Sequence, residues 1–392
     1  MSLISKKVSQ MKESATLAMA KKAKQLIAQG EPIINMSLGE PDFGAPMFLQ
    51  QAAIEAIRSD FSSYSPVPGF LDLREAISRK LFRDNYLNYP AENIIVSTGA
   101  KQSIANLVLS LIDPGDEVIL PAPFWVSYRD VIQFAGGVAV PLQTGHENDY
   151  KISPSQLKSA ITDKTKLFLF SNPCNPSGSL YLEHELREIA KEFLGHDFYI
   201  ASDEIYEYIS FEEHFSLGRI EDIKERVITV NGLSKGYAVT GWRLGYLAGP
   251  KEVVEACTKI QSQFTSGTNT IVQKAAIEAL DSGKEKVTYM KDAFIERKKL
   301  IVKLMEQHVP HAKISVPQGA FYLFPDMSYY LENTRLNSSV ELSEYLLKHA
   351  HVAATPGEPF GCPNNLRLSY ALGEDDITKA IKSIGQSLEE LL

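Results

Sequence analysis

The chain has 392 residues, of which 44% are hydrophobic and 22% are charged, with 24 glycines and 20 prolines. This composition is typical of a folded globular protein and excludes a collagen-like, low-complexity or intrinsically disordered chain. The 40 basic and 48 acidic side chains give a net charge of −8, which disfavours binding to the phosphate backbone of a nucleic acid.

The three cysteines form no Cys-x-x-Cys pair, so neither a disulfide framework nor a zinc ribbon is predicted. The histidine pairs His308/His311 and His349/His351 have no third ligand nearby, and no metal site is predicted. No apolar run approaches the roughly 18 residues that a membrane-spanning helix requires. We therefore expect a cytoplasmic protein that binds neither membranes nor nucleic acid.

The first predicted element is an amphipathic helix over Ser14–Gln29, which ends at Gly30. Helices and strands then alternate, with helices at 46–58, 71–83, 101–112, 125–135 and 183–194, and strands at 93–97, 117–120, 137–142, 166–170, 198–202, 227–231 and 244–248. Most of these strands are short and almost wholly apolar. Such runs are typical of a largely parallel sheet that is covered by helices on both faces.

The rest of the chain has a different pattern. Residues 251–309 are helix-rich and charged, whereas 312–392 mixes strands at 319–324 and 366–369 with helices at 339–349 and 375–391. We predict an α/β fold with two domains. The large domain covers 46–285 and has the mostly parallel sheet, and the smaller α+β domain combines 1–45 with 286–392.

Polar, turn-forming residues follow several predicted strands, where ligands bind in doubly wound sheets. The turn Gly99–Ala100 opens a helix, so its free N–H groups form a candidate anion site, although a plain tight turn has the same sequence. Lys235 follows a buried strand. A lysine held away from water has a lowered pKa and can form a Schiff base, whereas an exposed loop lysine cannot.

The same loop also matches the GxSxG nucleophile elbow of α/β-hydrolases, through Gly232, Ser234 and Gly236. An elbow requires a helix directly after it. The next residues, Tyr237–Gly241, include a β-branched valine and threonine and end in glycine, which makes a poor helix start. A hydrolase is therefore disfavoured.

Nine blocks in one consistent order carry a family resemblance: SLGEPDF, SYSPVPGFLDLREAI, STGAKQ, DPGDEVILPAPFWVSY, NPCNPSG, SDEIY, LSKGYAVTGWRLGY, PQGAFY and LRLSYA. With them, the chain resembles the fold-type I, class I aminotransferases that use pyridoxal 5′-phosphate (PLP) from Ser14 to its C-terminus. The resemblance implies that Lys235 binds PLP covalently and moves the substrate proton. It also implies that Asp203 pairs with the ring nitrogen, and that Asn175 and Tyr206 hydrogen-bond the phenolate oxygen.

The family pattern places Trp125 and Ile205 against the two faces of the cofactor ring. It assigns the cofactor phosphate to Gly99, Ala100, Lys101 and Arg243, and it counts Ser234 among the cofactor-binding residues. The chain departs from many members at Gly232, where they have a phosphate-binding serine. Tyr64 resembles the tyrosine that reaches the phosphate of the neighbouring subunit, which implies a homodimer with shared active sites.

For the substrate, the resemblance implies that Arg367 binds the α-carboxylate, assisted by Gly39 and Asn175, and it counts Trp125 among the substrate-binding residues. The substrates would then be an amino acid and a 2-oxo acid, exchanged in a ping-pong reaction. Lys101 and Thr16 match residues associated with the second carboxylate in one branch of bacterial aspartate aminotransferases, which favours aspartate and 2-oxoglutarate. The alternatives are an aromatic amino acid or prephenate aminotransferase, a PLP-dependent β-lyase, and a regulatory PLP-binding module.

Overall fold

The computed structural model describes residues 3–11 and 15–392, with side chains except at positions 6, 10 and 15–17. The helices are α1 (Lys6–Gln10), α2 (Ala15–Ala28), α3 (Met47–Arg58), α4 (Leu71–Asn85), α5 (Ala100–Leu111), α6 (Val126–Ala135), α7 (Pro154–Ala160), α8 (Glu183–Lys191), α9 (Lys251–Phe264), α10 (Thr270–Ser282), α11 (Thr288–His308), α12 (Ser328–Glu332), α13 (Ser339–His349) and α14 (Glu374–Leu391). The strands are β1 (Ile34–Asn35), β2 (Ile94–Ser97), β3 (Glu117–Pro121), β4 (Val138–Leu142), β5 (Thr165–Ser171), β6 (Tyr199–Asp203), β7 (Val227–Gly232), β8 (Gly245–Ala248), β9 (Tyr322–Leu323), β10 (Val352–Ala353), β11 (Thr355–Pro356) and β12 (Leu366–Ser369).

A seven-stranded mixed sheet forms the larger part of the fold, with the strand order β2-β8-β7-β6-β5-β3-β4. Strand β8 runs antiparallel to both neighbours, and all other pairs are parallel. Alternate residues enter different cores, since Ile94 and Val96 pack into one apolar cluster and Ile95 into another. The sheet is therefore covered on both faces, which confirms the predicted α/β class.

Two smaller sheets lie outside the main one. Strands β11, β12 and β9 form a three-stranded antiparallel sheet, and β1 pairs with β10 in parallel. Helix α2 packs beside them, because Met19 and Ala23 share an apolar cluster with Leu347 and Ala353. The N-terminal segment is thus joined to the C-terminal part of the chain, which places residues 37–40 beside β12.

Some element boundaries differ from the sequence prediction. The strand predicted at 319–324 is reduced to Tyr322–Leu323, because Ala320 has a positive φ of 57° and Pro325 donates no backbone hydrogen bond. Helix α8 ends at Lys191 rather than 194, and the seven-residue α7 was not predicted. The predicted start of the first helix, Ser14, lies outside the described residues. Within the described ranges, no helix combines the length and apolarity needed to cross a membrane.

Candidate active site

A cavity of about 510 Å³ opens beyond the carboxyl ends of the central strands. Most of the predicted site residues line it, namely Gly39, Ala100, Lys101, Trp125, Asn175, Asp203, Ile205, Tyr206, Ser234, Lys235, Arg243 and Arg367. Gly99 borders it as the residue before α5. Tyr64 does not line the cavity and is 94% exposed. The side chain of Thr16 lies outside the described part, although Ala20 of the same helix lines the cavity.

Lys235 lies in the turn after β7 and projects into this cavity. Its Nζ donates a hydrogen bond to the backbone oxygen of Gly39. Burial lowers the Lys235 pKa to about 8; nearby Glu40 opposes this shift, whereas Arg367 and Arg243 add to it. A lysine with this pKa has an appreciable neutral fraction near physiological pH. It can therefore act both as a nucleophile and as a proton acceptor.

Asp203 ends β6 and is 4% exposed. Its Oδ2 accepts a hydrogen bond of 2.7 Å from the Tyr128 hydroxyl, and its Oδ1 accepts one of 3.2 Å from the Ile205 N–H. Burial raises the Asp203 pKa to about 6, and both hydrogen bonds oppose that rise. A buried carboxylate held in this way favours a cationic partner in the cavity, such as a protonated ring nitrogen.

Arg367 on β12 is 1% exposed and is held from several sides. Its Nη1 donates to Asn175 Oδ1 over 3.1 Å, and its Nη2 donates to the Ser37 backbone oxygen over 2.7 Å. The guanidinium carbon lies 4.5 Å from the centre of the Tyr322 ring. Its Nε has no hydrogen-bond partner among the described residues. Such an unpartnered buried donor on a fixed guanidinium is suited to a carboxylate ligand.

Tyr206 and Tyr322 form a buried hydroxyl pair at the cavity wall. Their hydroxyl oxygens lie 2.8 Å apart, and the Asn175 Nδ2 donates to the Tyr206 hydroxyl over 3.4 Å. Burial, reinforced by Tyr322, raises the Tyr206 pKa well above its usual value. Tyr206 therefore stays protonated and can donate a hydrogen bond to an anionic oxygen in the cavity.

The candidate anion site lies where α5 begins. Gly99 has a positive φ of 85°, and a Cβ there would lie 2.4 Å from Nη2 of Arg243. Only glycine therefore allows the guanidinium to approach this turn so closely. The first N–H groups of α5 have no partner within the helix. Together with Arg243 they form a site for a phosphate-sized anion.

Gly232 ends β7 and pairs with Gly245 of β8. A Cβ there would lie 2.7 Å from the Leu244 backbone oxygen and 2.8 Å from the Gly245 Cα. The close approach of the two strands therefore accounts for a glycine where many family members have serine. At this backbone spacing a serine side chain does not fit without a shift of β8.

We expect Gly232→Ser to destabilise the protein, because the new Cβ meets backbone atoms that cannot move aside. Overpacking of this kind lowers the free energy of unfolding by about 1–3 kcal/mol. Urea unfolding measures the change. Gly44→Ser is the matched control, since no atom lies within 4 Å of a Cβ at Gly44. Equal stability of the two variants would contradict the expectation.

Among the cavity residues that sequence reasoning did not single out, Tyr128 and Tyr322 contact predicted site residues directly. Tyr128 lies three residues after Trp125, one helical turn along α6, so its place on the same face could have been noticed. Tyr322 lies within the block PQGAFY, but its contacts with Tyr206 and Arg367 join residues far apart in the chain. No local pattern predicts such contacts.

Comparison with known proteins assigns this architecture. The profile of the family described as aminotransferase class I and II matches residues 31–384. The chain belongs to this family. Its members depend on PLP, and the protein is a PLP-dependent aminotransferase, as the sequence predicted.

Similar aminotransferases cover nearly the whole chain. An aspartate aminotransferase of Bacillus sp. (strain YM-2) is 42% identical over 97% of this chain and 98% of its own length. A bifunctional aspartate aminotransferase and glutamate/aspartate-prephenate aminotransferase of Petunia hybrida is 42% identical over 98% of this chain and 82% of its own. The Thermus thermophilus aspartate aminotransferase with maleate has a TM-score of 0.94 at 39% identity, covering 99% of this chain and 100% of the other. These matches confirm fold type I.

Proposed function

We propose that this aminotransferase moves the amino group of L-aspartate to 2-oxoglutarate, with PLP held in the 510 Å³ cavity. One observation carries the proposal: a single cavity joins a desolvated lysine, a buried carboxylate and an arginine with an unpartnered Nε. These groups match an aldehyde, a protonated ring nitrogen and a substrate carboxylate, so the residues fit the cofactor and the substrate class.

Bound PLP supplies an electron sink that weakens the bonds at the substrate Cα. Lys235 would hold the cofactor and move the proton from the substrate Cα. Asp203, oriented by Tyr128, would keep the ring nitrogen protonated, and Tyr206 with Asn175 would donate to the phenolate oxygen. Trp125 and Ile205 would enclose the ring, while the anion site of Gly99, Ala100, Lys101, Ser234 and Arg243 would bind the phosphate.

A second group of residues in the cavity would recognise the amino acid. Arg367 would bind the α-carboxylate with its free donors, and the Gly39 backbone and Asn175 would complete the contacts. A Cβ at Gly39 would lie 3.0 Å from the Tyr322 hydroxyl, so glycine leaves room for the substrate beside that ring. The α-carboxylate is common to all amino acids, so these contacts select the class rather than aspartate.

The second carboxylate of aspartate would bind to Lys101 and Thr16. The Lys101 Nζ lies 5.0 Å from the centre of the Trp125 ring at the cavity wall. Helix α2 lines the cavity at Ala20, and Thr16 precedes Ala20 by one turn of this helix.

Aspartate is also named for both relatives from Bacillus and Petunia, and the Petunia name adds prephenate. Prephenate chemistry is therefore the second candidate, since its ring carboxylate could use the same lysine.

The visible spectrum of the PLP-loaded protein tests the proposal. A band that bleaches with aspartate and returns with 2-oxoglutarate would support both half-reactions. A band that ignores aspartate would remove the aspartate assignment, and its response to prephenate and glutamate would then test the second candidate. Release of ammonia without an acceptor would indicate a β-lyase instead. No band with added PLP would overturn the assignment of Lys235.

We expect Lys101→Ala to lower kcat/KM for aspartate by about 10-fold or more, because a charge-assisted contact to the second carboxylate is lost. For alanine as donor the change should be much smaller. Lys251→Ala is the matched control, since Lys251 is also exposed in the first turn of a helix. Equal losses for aspartate and alanine would remove Lys101 from specificity.

A homodimer completes the proposal. Tyr64 is exposed to 94%, and Met47, Ile57 and Phe264 also expose large apolar side chains. A second open cavity of about 430 Å³ lies beside Arg243 and reaches Ala53 on α3. In a homodimer, Tyr64 of a second copy of the chain would enter this cavity beside Arg243 and reach the cofactor phosphate.

We expect Tyr64→Phe to raise the Kd for PLP about 10-fold, since a hydrogen bond to a charged group is lost. Sedimentation should give a dimer for both the variant and the unaltered protein. Tyr86→Phe removes another largely exposed tyrosine hydroxyl and should leave PLP affinity unchanged. A monomer, or an unchanged Kd for Tyr64→Phe, would contradict this part of the proposal.

The domain division at 46–285 against 1–45 with 286–392 is part of the same proposal. Its support is that Gly39 and Arg367 reach the cavity from the second set of residues, whereas Lys235 and Asp203 reach it from the first. Movement of one set towards the other would exclude water from the bound substrate. Small-angle scattering with and without maleate measures such closure, and identical profiles would count against it.

A further inference from the structure

A buried polar chain links the two loops that carry the proposed cofactor residues. The Lys80 Nζ on α4 donates to the Glu207 carboxylate. The Asn231 Nδ2 donates to the same carboxylate over 2.7 Å, and the Asn231 Oδ1 accepts from the Gly232 N–H over 2.7 Å. The Lys80 and Glu207 side chains are 2% and 8% exposed. We call Lys80, Glu207 and Asn231 the clamp.

The clamp lies beside the active site without belonging to it. Glu207 directly follows Tyr206, and Asn231 lies four residues before Lys235. The three clamp residues line a separate cavity of about 10 Å³, whose other walls include Ile205 and Gly232, and they are not among the residues lining the main cavity. The Glu207 carboxylate therefore ties the end of β6 to the end of β7 from outside the cofactor cavity.

The network around the clamp is well satisfied. The Glu207 Oε2 accepts from the Asn85 Nδ2 over 2.6 Å, and the Lys80 Nζ also donates to the Asn85 Oδ1 over 2.7 Å. The same Nζ lies 5.2 Å from the centre of the Tyr208 ring. Buried ionic networks in which every group is paired are rigid. The clamp can thus fix the spacing of two loops.

A metal ion is the competing interpretation of this region. Ligand atoms of Glu204, Glu207 and His214 lie within 4.8 Å of one another. However, Lys80 already supplies the positive charge to Glu207. Glu204 is engaged as well, since its Oε2 accepts from the Ser216 hydroxyl over 2.6 Å. The carboxylates therefore have partners without an ion, and the arrangement favours a structural network.

We propose that Glu207 is a positioning residue: held by Lys80, it clamps the Tyr206 loop to the Lys235 loop through Asn231 and so sets how both residues meet the cofactor. The inference rests on the proposed function, since it places PLP in the cavity. If the clamp is broken, the Tyr206 hydroxyl donates less well to the phenolate oxygen. A phenolate that loses a donor is protonated more easily. The pH midpoint of the visible band should therefore rise.

Other titratable groups lie around the active site and around the clamp, and none of them is replaced in the test variants. Those that act on Lys235 or on Tyr206 are Glu40, Asp203, Arg243, Tyr322 and Arg367. Those that act on the clamp side chains or lie against them are Asp84, Glu204, Tyr208, Tyr237 and Tyr246. Because all of them are retained, a change in the midpoint reports on the clamp itself.

The test compares PLP-loaded proteins by pH titration of the visible band without substrate, and by the rate of PLP release. Lys80→Met/Glu207→Leu replaces the whole ion pair with apolar groups, which buried sites often tolerate. Asn231→Ala cuts only the link to the Lys235 loop. The control is Lys151→Met/Glu185→Leu, which removes another largely buried pair, at 2.9 Å, whose lysine also lies over a tyrosine ring.

We expect the midpoint to rise by about one pH unit in the double clamp variant and by about half a unit in Asn231→Ala. PLP release should become about 10-fold faster in the double clamp variant, while the control keeps the values of the unaltered protein. If the clamp variants titrate like the control, the inference is overturned while the proposed function stands. If the unaltered protein shows no band with PLP, the proposed function fails and the inference fails with it.

Discussion

Lys235→Met should abolish transamination and, in the protein without cofactor, increase resistance to unfolding. The loss of activity follows because Lys101, the other cavity lysine with a pKa lowered by burial, has its Nζ over the Trp125 ring, where the proposal places the second carboxylate, and so does not replace Lys235. Removal of the residue proposed as both nucleophile and proton carrier should lower kcat by about 10⁴-fold or more. Amino transfer from aspartate, followed through the oxo acid product, measures it.

The gain in stability follows from the direction of the pKa shift. The Lys235 pKa is about 8 in the folded protein and 10.5 in its ordinary state, so folding disfavours the charged form. Below pH 8 the folded state bears the full cost of the buried charge, about 3 kcal/mol, and this cost disappears as the pH rises from about 8 to 10.5. Methionine has a similar length and no charge.

The free energy of unfolding of the cofactor-free protein should therefore be higher for Lys235→Met at pH 7, and the difference should shrink towards pH 10.5. Lys251→Met, at an exposed position, should change neither stability nor activity. A variant that is inactive and also less stable at pH 7 would show that Lys235 supports the fold rather than bearing a destabilising charge.

Arg367→Met should lower kcat/KM for every amino donor by about 10²- to 10³-fold. The α-carboxylate would lose its paired guanidinium, and breaking a buried ion pair costs about 3–5 kcal/mol. Arg367→Lys should recover little, because an ammonium group cannot replace two parallel donors. The loss should be similar for aspartate and alanine, unlike the selective loss expected for Lys101→Ala.

Arg219→Met provides the matched control for this second prediction. Arg219 also lies over two aromatic rings, those of Tyr86 and Phe215, but it is not part of the cavity. Its replacement removes contacts between a guanidinium and aromatic rings of the same kind and should leave kcat/KM unchanged. A loss for Arg367→Met that is confined to aspartate would instead place Arg367 at the second carboxylate.

The positions of Asp203 and Lys235 could be predicted from sequence because each follows a short apolar strand, predicted at 198–202 and 227–231. Carboxyl ends of parallel strands meet at one edge of a sheet, so a polar residue at such an end has a known place before its neighbours are known. The antiparallel direction of β8 was not predicted, because a four-residue apolar strand has the same pattern in either direction. Short elements such as α7 lack the length for a helical period.

Contacts between distant residues could not be predicted from local patterns. The Tyr206–Tyr322 pair joins residues 116 positions apart, and the Lys80–Glu207 pair joins residues 127 positions apart. Both depend on how helices and loops pack after the strands have formed. Lys80 is 1% exposed and lies on the buried face of α4 with Leu73 and Ile77, and no local pattern indicates that its partner there is Glu207.

The segment that follows β1 contacts residues from much later in the chain, and this limits the order in which the site can form during synthesis. The Arg367 Nη2 donates to the Ser37 backbone oxygen across 330 residues, and the Lys235 Nζ donates to the Gly39 backbone oxygen. A nascent chain can complete the main sheet and the turn proposed to bind phosphate while β12 is still inside the ribosome. The contact between Arg367 and Ser37 forms only after β12 has emerged, so synthesis completes the proposed phosphate site first and the proposed carboxylate site last.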